Sequence, residues 1–497
     1  LDADDSPGSG GPFLEFGLWA AYGMYPEWGA VPAAGVVTGI GYIHGRSCMI
    51  VANDATVKAG AFFPQTVKKV LRAQRIAAHC CLPLVYLVDS SGVFLPMQDE
   101  IFPDEDDFGR IFRNNAVLSA AGVPQIAAIM GDCIAGGAYL PVLCDKILMT
   151  KGSRLYLAGP ALVKAAIGQV TDEEELGGAD MHARISGTID FCEPDDESCL
   201  RRLRSLIELL PAERYADDGA ASRRQPASPP QRDPGQVCDV LGNGSGPYNV
   251  GELLACILDR DSMSLYKEGY GQTLLTAYAR IGGHAVGVIA NQHIQTQSAK
   301  QGLQIGGVIY ADSADKAARF VMDCSQNGLP LVFFQDVQGF MVGRGAEQSG
   351  IIRSGAKLVS AVSNAGVAKL TVIIGGSFGA GNYALCGKAF DPVFIFAWPS
   401  AQYAVMGGAQ AADTLLQLEE RQARRQGRLL SPEDCERLRD EIENRYNRQM
   451  DVRYAAARGW VDAIIQPHQT REVLIRALSW ASRPPPPGGF RAGILQV

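Results

Sequence analysis

The chain repeats itself, and the repeat limits what it can fold into. Residues 121–139, AGVPQIAAIMGDCIAGGAY, align without a gap on residues 365–383, AGVAKLTVIIGGSFGAGNY, at an offset of 244 (365 − 121). Leu82-Pro83-Leu84-Val85, leading to Asp89 and Gly92, returns as Leu329-Pro330-Leu331-Val332, leading to Asp336 and Gly339, at an offset of 247 (329 − 82). Residues 38–53, TGIGYIHGRSCMIVAN, return more faintly as 276–291, TAYARIGGHAVGVIAN, at an offset of 238 (276 − 38). Three segments in the same order at nearly one offset imply two copies of one domain. A chain of 497 residues is also too long for one ordinary core. Each copy carries a glycine-rich turn where an apolar strand would hand over to a helix. The protein should therefore own two similar turns, each able to hold an anion.

Composition excludes several classes. With 47% hydrophobic and 20% charged residues the chain reads as globular, and no apolar run is long enough to span a bilayer, so no membrane partner is expected. A net charge of −8 and the lack of a dense basic stripe argue against nucleic acid, while leaving room for a local phosphate pocket. Twelve scattered cysteines suggest neither a disulfide framework nor a zinc site; they fit buried or bystander thiols in a reducing compartment, which for this chain means the cytoplasm. No metal is expected. The first residue is Leu1, so an initiator or targeting segment is expected to have been removed.

Short β-rich runs such as 35–51 and 84–88 alternate with helical stretches such as 67–79 and 111–121, an α/β pattern. Order is expected to begin near residue 12, after a polar, glycine-rich lead-in. The pattern predicts a first domain over 1–215, an exposed linker over 216–250 where Ala, Ser, Arg, Pro and Gly dominate, and a second domain over 251–497 whose compact part ends before PPPPGG. Residues 416–450, dense in Glu and Arg, read as two charged helices joined near Gly427. Ser431-Pro432-Glu433-Asp434 looks like the second helix's start, with Ser as N-cap. This insertion has no counterpart in the first copy, and it suits a solvated hairpin or a subunit contact.

Glycines at Gly136 and Gly137, and at Gly379 and Gly381, let the backbone approach a ligand and aim successive N–H groups at one point. The bland reading is close packing of helix on sheet; finding the turn twice at matched positions favours the functional one. A P-loop is excluded because neither turn closes on Lys-Ser/Thr, and the dinucleotide fingerprint has a different spacing. Gly375-Gly376-Ser377-Phe378-Gly379 does match a nucleophile elbow. Against that reading, only His468 lies downstream, and Cys133 occupies the paired position (377 − 244). The acid run 99–107 reads as solvated loop, and His182 as a satisfied structural histidine. No side chain announces itself as nucleophile or base, which suits chemistry run by backbone oxyanion holes and a reagent-borne base.

Several segments together carry a family resemblance: Asn53-Asp54-Ala55-Thr56-Val57-Lys58; residues 102–110; Ala135-Gly136-Gly137-Ala138-Tyr139; residues 157–165; residues 177–182; Gly339-Phe340-Met341-Val342-Gly343; and 375–383 followed by Met406-Gly407-Gly408. Over nearly the whole chain both copies resemble the crotonase-like domains of the carboxyltransferase (β) subunit of biotin-dependent acyl-CoA carboxylases. Within that family they look most like the 3-methylcrotonyl-CoA enzymes. Residues 292–297, QHIQTQ, and 306–310 depart from that pattern toward propionyl or glutaconyl relatives. Propionyl- or geranyl-CoA carboxylase and the glutaconyl-CoA decarboxylase subunit therefore stay open as alternatives, as does a CoA-binding scaffold without catalysis.

The resemblance implies two tandem ββα-spiral domains of the ClpP/crotonase type and a reaction in which CO₂ passes from carboxybiotin to an acyl-CoA enolate or its vinylogue. Two oxyanions develop, and two turns would meet them. In the first domain Ala135, Gly136 and Gly137, with Gly92 and Val93, would hold the thioester, and Lys58 would meet CoA phosphate. In the second, Gly379, Ala380 and Gly381, with Gly339 and Phe340, would hold the ureido oxygen of biotin, whose anion can take the substrate proton. No Met-Lys-Met attachment site occurs in these residues, so biotin is expected on a partner subunit that also charges it. The resemblance further implies a β6 core within an α6β6 complex, in the mitochondrial matrix if the source is eukaryotic.

Overall fold

The computed structural model describes residues 13–102, 104–186, 188–210, 226–241, 246–298, 302–426 and 430–481. The expected lead-in before residue 12, the joint at Gly427, parts of the expected linker and everything after 481 lie outside them. The chain divides into two compact units, one drawn from 1–219 with 457–459 and the other from 220–456 with 460–482.

In the first unit the strands are β1 (Leu14–Phe16), β2 (Val36–Ile43), β3 (Arg46–Asn53), β4 (Leu84–Ser90), β5 (Gln125–Ile134), β6 (Lys146–Thr150), β7 (Arg154–Tyr156) and β8 (Phe191–Glu193). They form one sheet in the order β1-β2-β3-β4-β5-β6-β8, with β7 added to the end of β5. In the second unit β9 (Ser264–Leu265), β10 (Leu274–Ile281) and β11 (His284–Asn291) are followed by a small ribbon of β12 (Thr296–Ser298) and β13 (Gly302–Gln304). Then come β14 (Val308–Ile309), β15 (Leu331–Val337), β16 (Gly339–Phe340), β17 (Lys369–Phe378), β18 (Phe394–Ala397), β19 (Gln402–Ala404) and β20 (Ala463–Ile464). The large sheet runs β20-β18-β17-β15-β11-β10-β9, with β19 added to the end of β17. Strand for strand this is the first sheet again, and it is the repeat made visible.

Local chemistry explains the elements. The hairpins β2–β3 and β10–β11 turn on His44-Gly45 and Gly282-Gly283, all with positive φ, the two-residue turn that matches strand twist. The inner strands β4, β5, β15 and β17 are parallel and read as nearly unbroken apolar runs because both faces are covered. Helices Pro64–Cys80 and Phe108–Ala121 cover the first sheet, and Ala311–Gln326 and Ile351–Asn364 the second, so crossovers also fall at matched places. Phe320, Phe333 and Leu358 anchor the core beneath the second pair.

Two features differ from the sequence reading. The stretch expected as exposed linker, 216–250, holds the helix Val237–Leu241 with Val237 fully buried, and Tyr248 and Val250 are also buried. Its polar composition conceals a few anchors. The charged insertion begins earlier than 416, as the helix Gly408–Arg425, because its first turns are apolar and bury Ala411 and Ala412. The second helix, Pro432–Met450, starts as read: Ser431 Oγ accepts from Asp434 N, with Pro432 in the first turn.

Candidate active site

In both units a strand end and a glycine turn meet. In the first, β5 ends at Ile134 and Ala135 takes a left-handed φ of 56°, a strained choice for a residue with a Cβ. Its matched residue, Gly379, has φ 53°. The turn Ala135–Ala138 leads into a four-residue helix, Tyr139–Val142, and Gly379–Ala384 is itself the helix in the second unit. Both helices are short, so a helix macrodipole adds little. What each site offers is the local N–H groups that a helix start leaves without intrahelical partners.

The facing turns come from the ends of β4 and β15. A Cβ on Gly137 would lie 3.5 Å from Gly92 Cα, and one on Gly381 would lie 3.3 Å from Gly339 Cα. Each glycine turn is thus in contact with its partner turn, as the repeat required. Gly92 (φ 89°) and Gly339 (φ 128°) adopt backbone that other residues avoid.

These facing turns are braced alike. Ser91 N donates to Ala59 O (2.9 Å), Phe62 N to Gly92 O (2.8 Å) and Phe94 N to Phe62 O (2.9 Å). In the second unit Gln338 N donates to Gly307 O (2.7 Å) and Met341 N to Ile309 O (2.8 Å), within the parallel pair β14–β16. Alternate residues of such a ladder point their N–H groups to opposite sides, so Val93 and Phe340 direct theirs away from the bracing strand. Gly92 differs from the expectation: its N–H is taken by Ser90 Oγ (3.1 Å), which donates to Gly60 O (2.7 Å). Of Gly92 and Val93, the donor left for a ligand is Val93. Lys58 lies on the neighbouring turn with its side chain exposed.

Behind each pair of turns stands an aspartate that the sequence reading noticed only as a repeated letter. Asp89 Oδ1 accepts from Asp132 N (3.0 Å), and Asp336 Oδ1 accepts from Gly376 N (2.7 Å). Both bonds hold an irregularity in the ladder, between Val88 and Ser90 in one unit and between Gln335 and Val337 in the other. Gly131 and Gly375 face these carboxylates, and a side chain at either would overlap them. The second copy carries more: Tyr248 donates to Asp336 Oδ2 (2.8 Å), and His293 Nε2 lies 3.2 Å from the same oxygen. The Tyr248 and His293 rings stack at 5.0 Å and 9°. Their signal was Asp336 matching Asp89; Tyr248 was hidden inside the expected linker.

The rival nucleophile does not stand up. Ser377 is buried, donates to Gln335 Oε1 (2.7 Å) and accepts from Asn382 Nδ2 (2.8 Å), with no histidine in that network. Cys133, its counterpart, has its thiol pushed up to about 12 by burial and by Asp132 and Asp89. His182 is satisfied at both nitrogens: Nε2 donates to Leu155 O (2.6 Å) and Nδ1 pairs with Ser186 Oγ (2.8 Å). Nearby carboxylates are engaged too, since Arg154 bridges Asp132 (3.3 Å) and Glu173 (2.9 Å). What remains in each unit is backbone: two facing turns whose glycines bring their main chains into contact.

Comparison with known proteins agrees in kind. The carboxyl transferase domain family model matches residues 10–485. The chain is 45% identical over 446 residues to the biotin-dependent 3-methylcrotonyl-coenzyme A carboxylase β1 subunit of Mycobacterium tuberculosis, covering 89% of this chain and 81% of that one. It is 43% identical over 447 residues to the mitochondrial methylcrotonoyl-CoA carboxylase β chain of Arabidopsis thaliana, covering 89% and 74%. Among solved structures, the geranyl-CoA carboxylase β subunit of P. aeruginosa superposes with a TM-score of 0.83 at 34% identity, over 97% of this chain and 86% of that one.

Proposed function

The chain belongs to the carboxyl transferase family, as a carboxyltransferase β subunit of the biotin-dependent acyl-CoA carboxylases, and from that premise we propose a division of labour between its two units. The first holds the acyl-CoA thioester: the N–H groups of Gly136 and Gly137, with Val93, bond the oxygen that becomes negative as the acyl chain turns nucleophilic. Lys58 meets a CoA phosphate. The second holds the ureido oxygen of carboxybiotin, through Ala380 and Gly381 from one turn and Phe340 from the other, with Gly379 setting the entry of the chain. Donors fixed in place before reaction stabilise such charge strongly, and one of them contributes about 3 kcal/mol in the transition state.

The observation that carries this reading is the matched pair of turns in each unit, built on the same strand ends and braced the same way. The second pocket suits a ureido ring. A Cβ on Gly339 would meet nothing within 4 Å, so the turn opens on free space, while the Phe340 ring packs back onto Gly355 and the core and anchors the turn. Carboxybiotin supplies the CO₂ and, once that has left, a base. The residues here need only bind, orient and neutralise, which is why neither Ser377 nor Cys133 is poised to react.

The substrate we favour is 3-methylcrotonyl-CoA, supported by the relatives at 45% and 43% identity. Geranyl-CoA is the second reading, supported by the structural likeness to the geranyl-CoA carboxylase subunit. Biotin would arrive on a partner subunit that carboxylates it, and the working assembly would be a β6 core. Reconstituting the chain with a biotin carboxylase subunit and assaying propionyl-, crotonyl-, 3-methylcrotonyl- and geranyl-CoA tests all of this. The highest kcat/KM is expected for 3-methylcrotonyl-CoA; preference for another acyl group overturns the substrate, and no carboxylation of any overturns the function.

A further inference from the structure

Two lysines occupy one position in the repeat and live in different surroundings. Lys69, on the helix Pro64–Cys80, and Lys316, on Ala311–Gln326, lie 247 residues apart (316 − 69), the offset of their helices. Both are buried, at 6% and 2% exposure. A buried ammonium needs partners. Lys69 has them, donating to Ala33 O (2.9 Å) and Val36 O (2.5 Å). Lys316 makes no hydrogen bond or ion pair with any described residue; its side chain lines a cavity of about 1210 Å³ between its own helix and the helix Ile351–Asn364.

Around that cavity stand Lys267, Arg319, Arg353 and Lys357, with Asp315 as the one carboxylate. Asp315 is already paired with Lys357 (3.0 Å). Neither Arg319 nor Arg353 is ion-paired among the described residues, and Lys267 rests over the rings of Tyr266 (5.7 Å) and Tyr270 (5.8 Å). Five basic side chains around one lining carboxylate repel one another, and in a chain of net charge −8 the cluster is not a general excess of base. Met322, Ala318 and Ala356 make the floor apolar.

We propose that this cavity is a binding site for a phosphate ester carrying an apolar body, the phosphates meeting Lys316, Arg319 and Arg353 and the body lying on the floor beside Tyr270. The site lies wholly within the second unit and stands whether or not the carboxyl-transfer reading does. Its ligand is a free nucleotide or an acyl-CoA molecule other than the one whose thioester the first unit holds. Burial lowers Lys316 to about 8, with Asp312 opposing and Lys267 reinforcing that shift. Tyr270 is raised by burial and by Asp312 and Asp315, and stays neutral. The site therefore loses positive charge as pH rises through 8, and binding weakens there.

Calorimetric titration of the full chain with inorganic pyrophosphate, ADP and adenosine 3′,5′-bisphosphate tests the proposal. Saturable binding is expected, weaker in raised salt and above pH 8, and reduced about tenfold or more in Lys316→Met and in Arg353→Gln. Lys316→Met keeps the buried stem, and Arg353→Gln alters an exposed side chain, so at least one variant folds. Lack of binding by all three probes up to about 1 mM, or binding untouched by both substitutions, overturns the site. In the holoenzyme, a second equivalent of acyl-CoA bound by the parent and lost in Arg353→Gln identifies that second acyl-CoA; nucleotide bound without it identifies a free nucleotide, and both uphold the site.

Discussion

Adding one methyl group to each of the two matched glycines should give opposite results. At Gly137 a new Cβ would meet Gly92 Cα at 3.5 Å, an ordinary contact, so Gly137→Ala fits the existing backbone. At Gly381 it would stand 2.6 Å and 3.0 Å from the two methyls of Val337. Relief needs a movement of about 1 Å, since carbon atoms rest near 3.5–4.0 Å apart. Val337 cannot yield: it is fully buried, and its branched side chain has little rotamer freedom. The start of the helix Gly379–Ala384 must move instead, taking the N–H groups of Ala380 and Gly381 off target. Displacing one such donor loses up to about 3 kcal/mol, on the order of 100-fold in kcat, and overpacking adds about 1–3 kcal/mol of instability. The assay is carboxyl transfer by the reconstituted holoenzyme, with thermal unfolding of each variant in parallel. Gly137→Ala should stay within about threefold of the parent rate. Removing the obstructing methyls in Gly381→Ala/Val337→Ala should recover at least about tenfold over Gly381→Ala alone. A Gly381→Ala enzyme at full rate, or a folded double variant no faster than the single one, would refute the steric coupling.

Three further outcomes follow from buried polar groups. Asp259 accepts from Gly282 N and Gly283 N (2.8 Å each) and pairs with Arg471 (2.7 Å). Burial alone would raise its carboxyl, but Arg471 and the two N–H groups hold it below 3.8. Its contribution to stability is thus complete above pH 3.8 and fades as pH falls toward the lowered value; Asp259→Asn should flatten this acid limb in urea titrations. Arg471→Met, which leaves a buried carboxylate alone, should cost about 3–5 kcal/mol, and a loss under 1 kcal/mol would deny the pair that role. Ser377→Ala should lower stability by about 1–3 kcal/mol through its lost hydrogen bonds yet keep most of the transfer rate. Labelling of Ser377 by a serine-directed phosphonylating reagent, or a rate loss beyond about a thousandfold, would restore the hydrolase reading.

Much of this was legible because duplication turns one sequence into a two-row alignment. Matching 121–139 with 365–383 located both glycine turns, and Leu84 to Asp89 matched with Leu331 to Asp336 located the strands that face them. The Ser431 cap was legible because capping is a local event within one helical turn. What stayed hidden depends on contacts between residues far apart in sequence. Tyr248 reaches Asp336 across 88 positions, out of a segment whose composition looked like solvent-exposed linker. The loss of Gly92 as a donor depends on Ser90 turning its hydroxyl inward, which no pattern of residue types announces. The basic cavity was invisible for the same reason: Lys267, Lys316 and Arg353 come from three separate segments, and only the packing of two helices brings their charges together.

Within the second unit, the charged hairpin tells where this architecture accepts growth. Between β7 and β19 the two copies are offset by 248 residues (402 − 154), and between β8 and β20 by 272 (463 − 191), so that single connection is 24 residues longer in the second copy. In the first copy the same connection is filled by short helices between residues 160 and 186. Strand order, ladder irregularity and turn contacts are alike on either side of the difference. The connection behaves as a splice point, where length can change without a correction elsewhere. A fluorescent domain or affinity tag grafted there has a better prospect of leaving both pockets working than one placed in any loop that braces the turns.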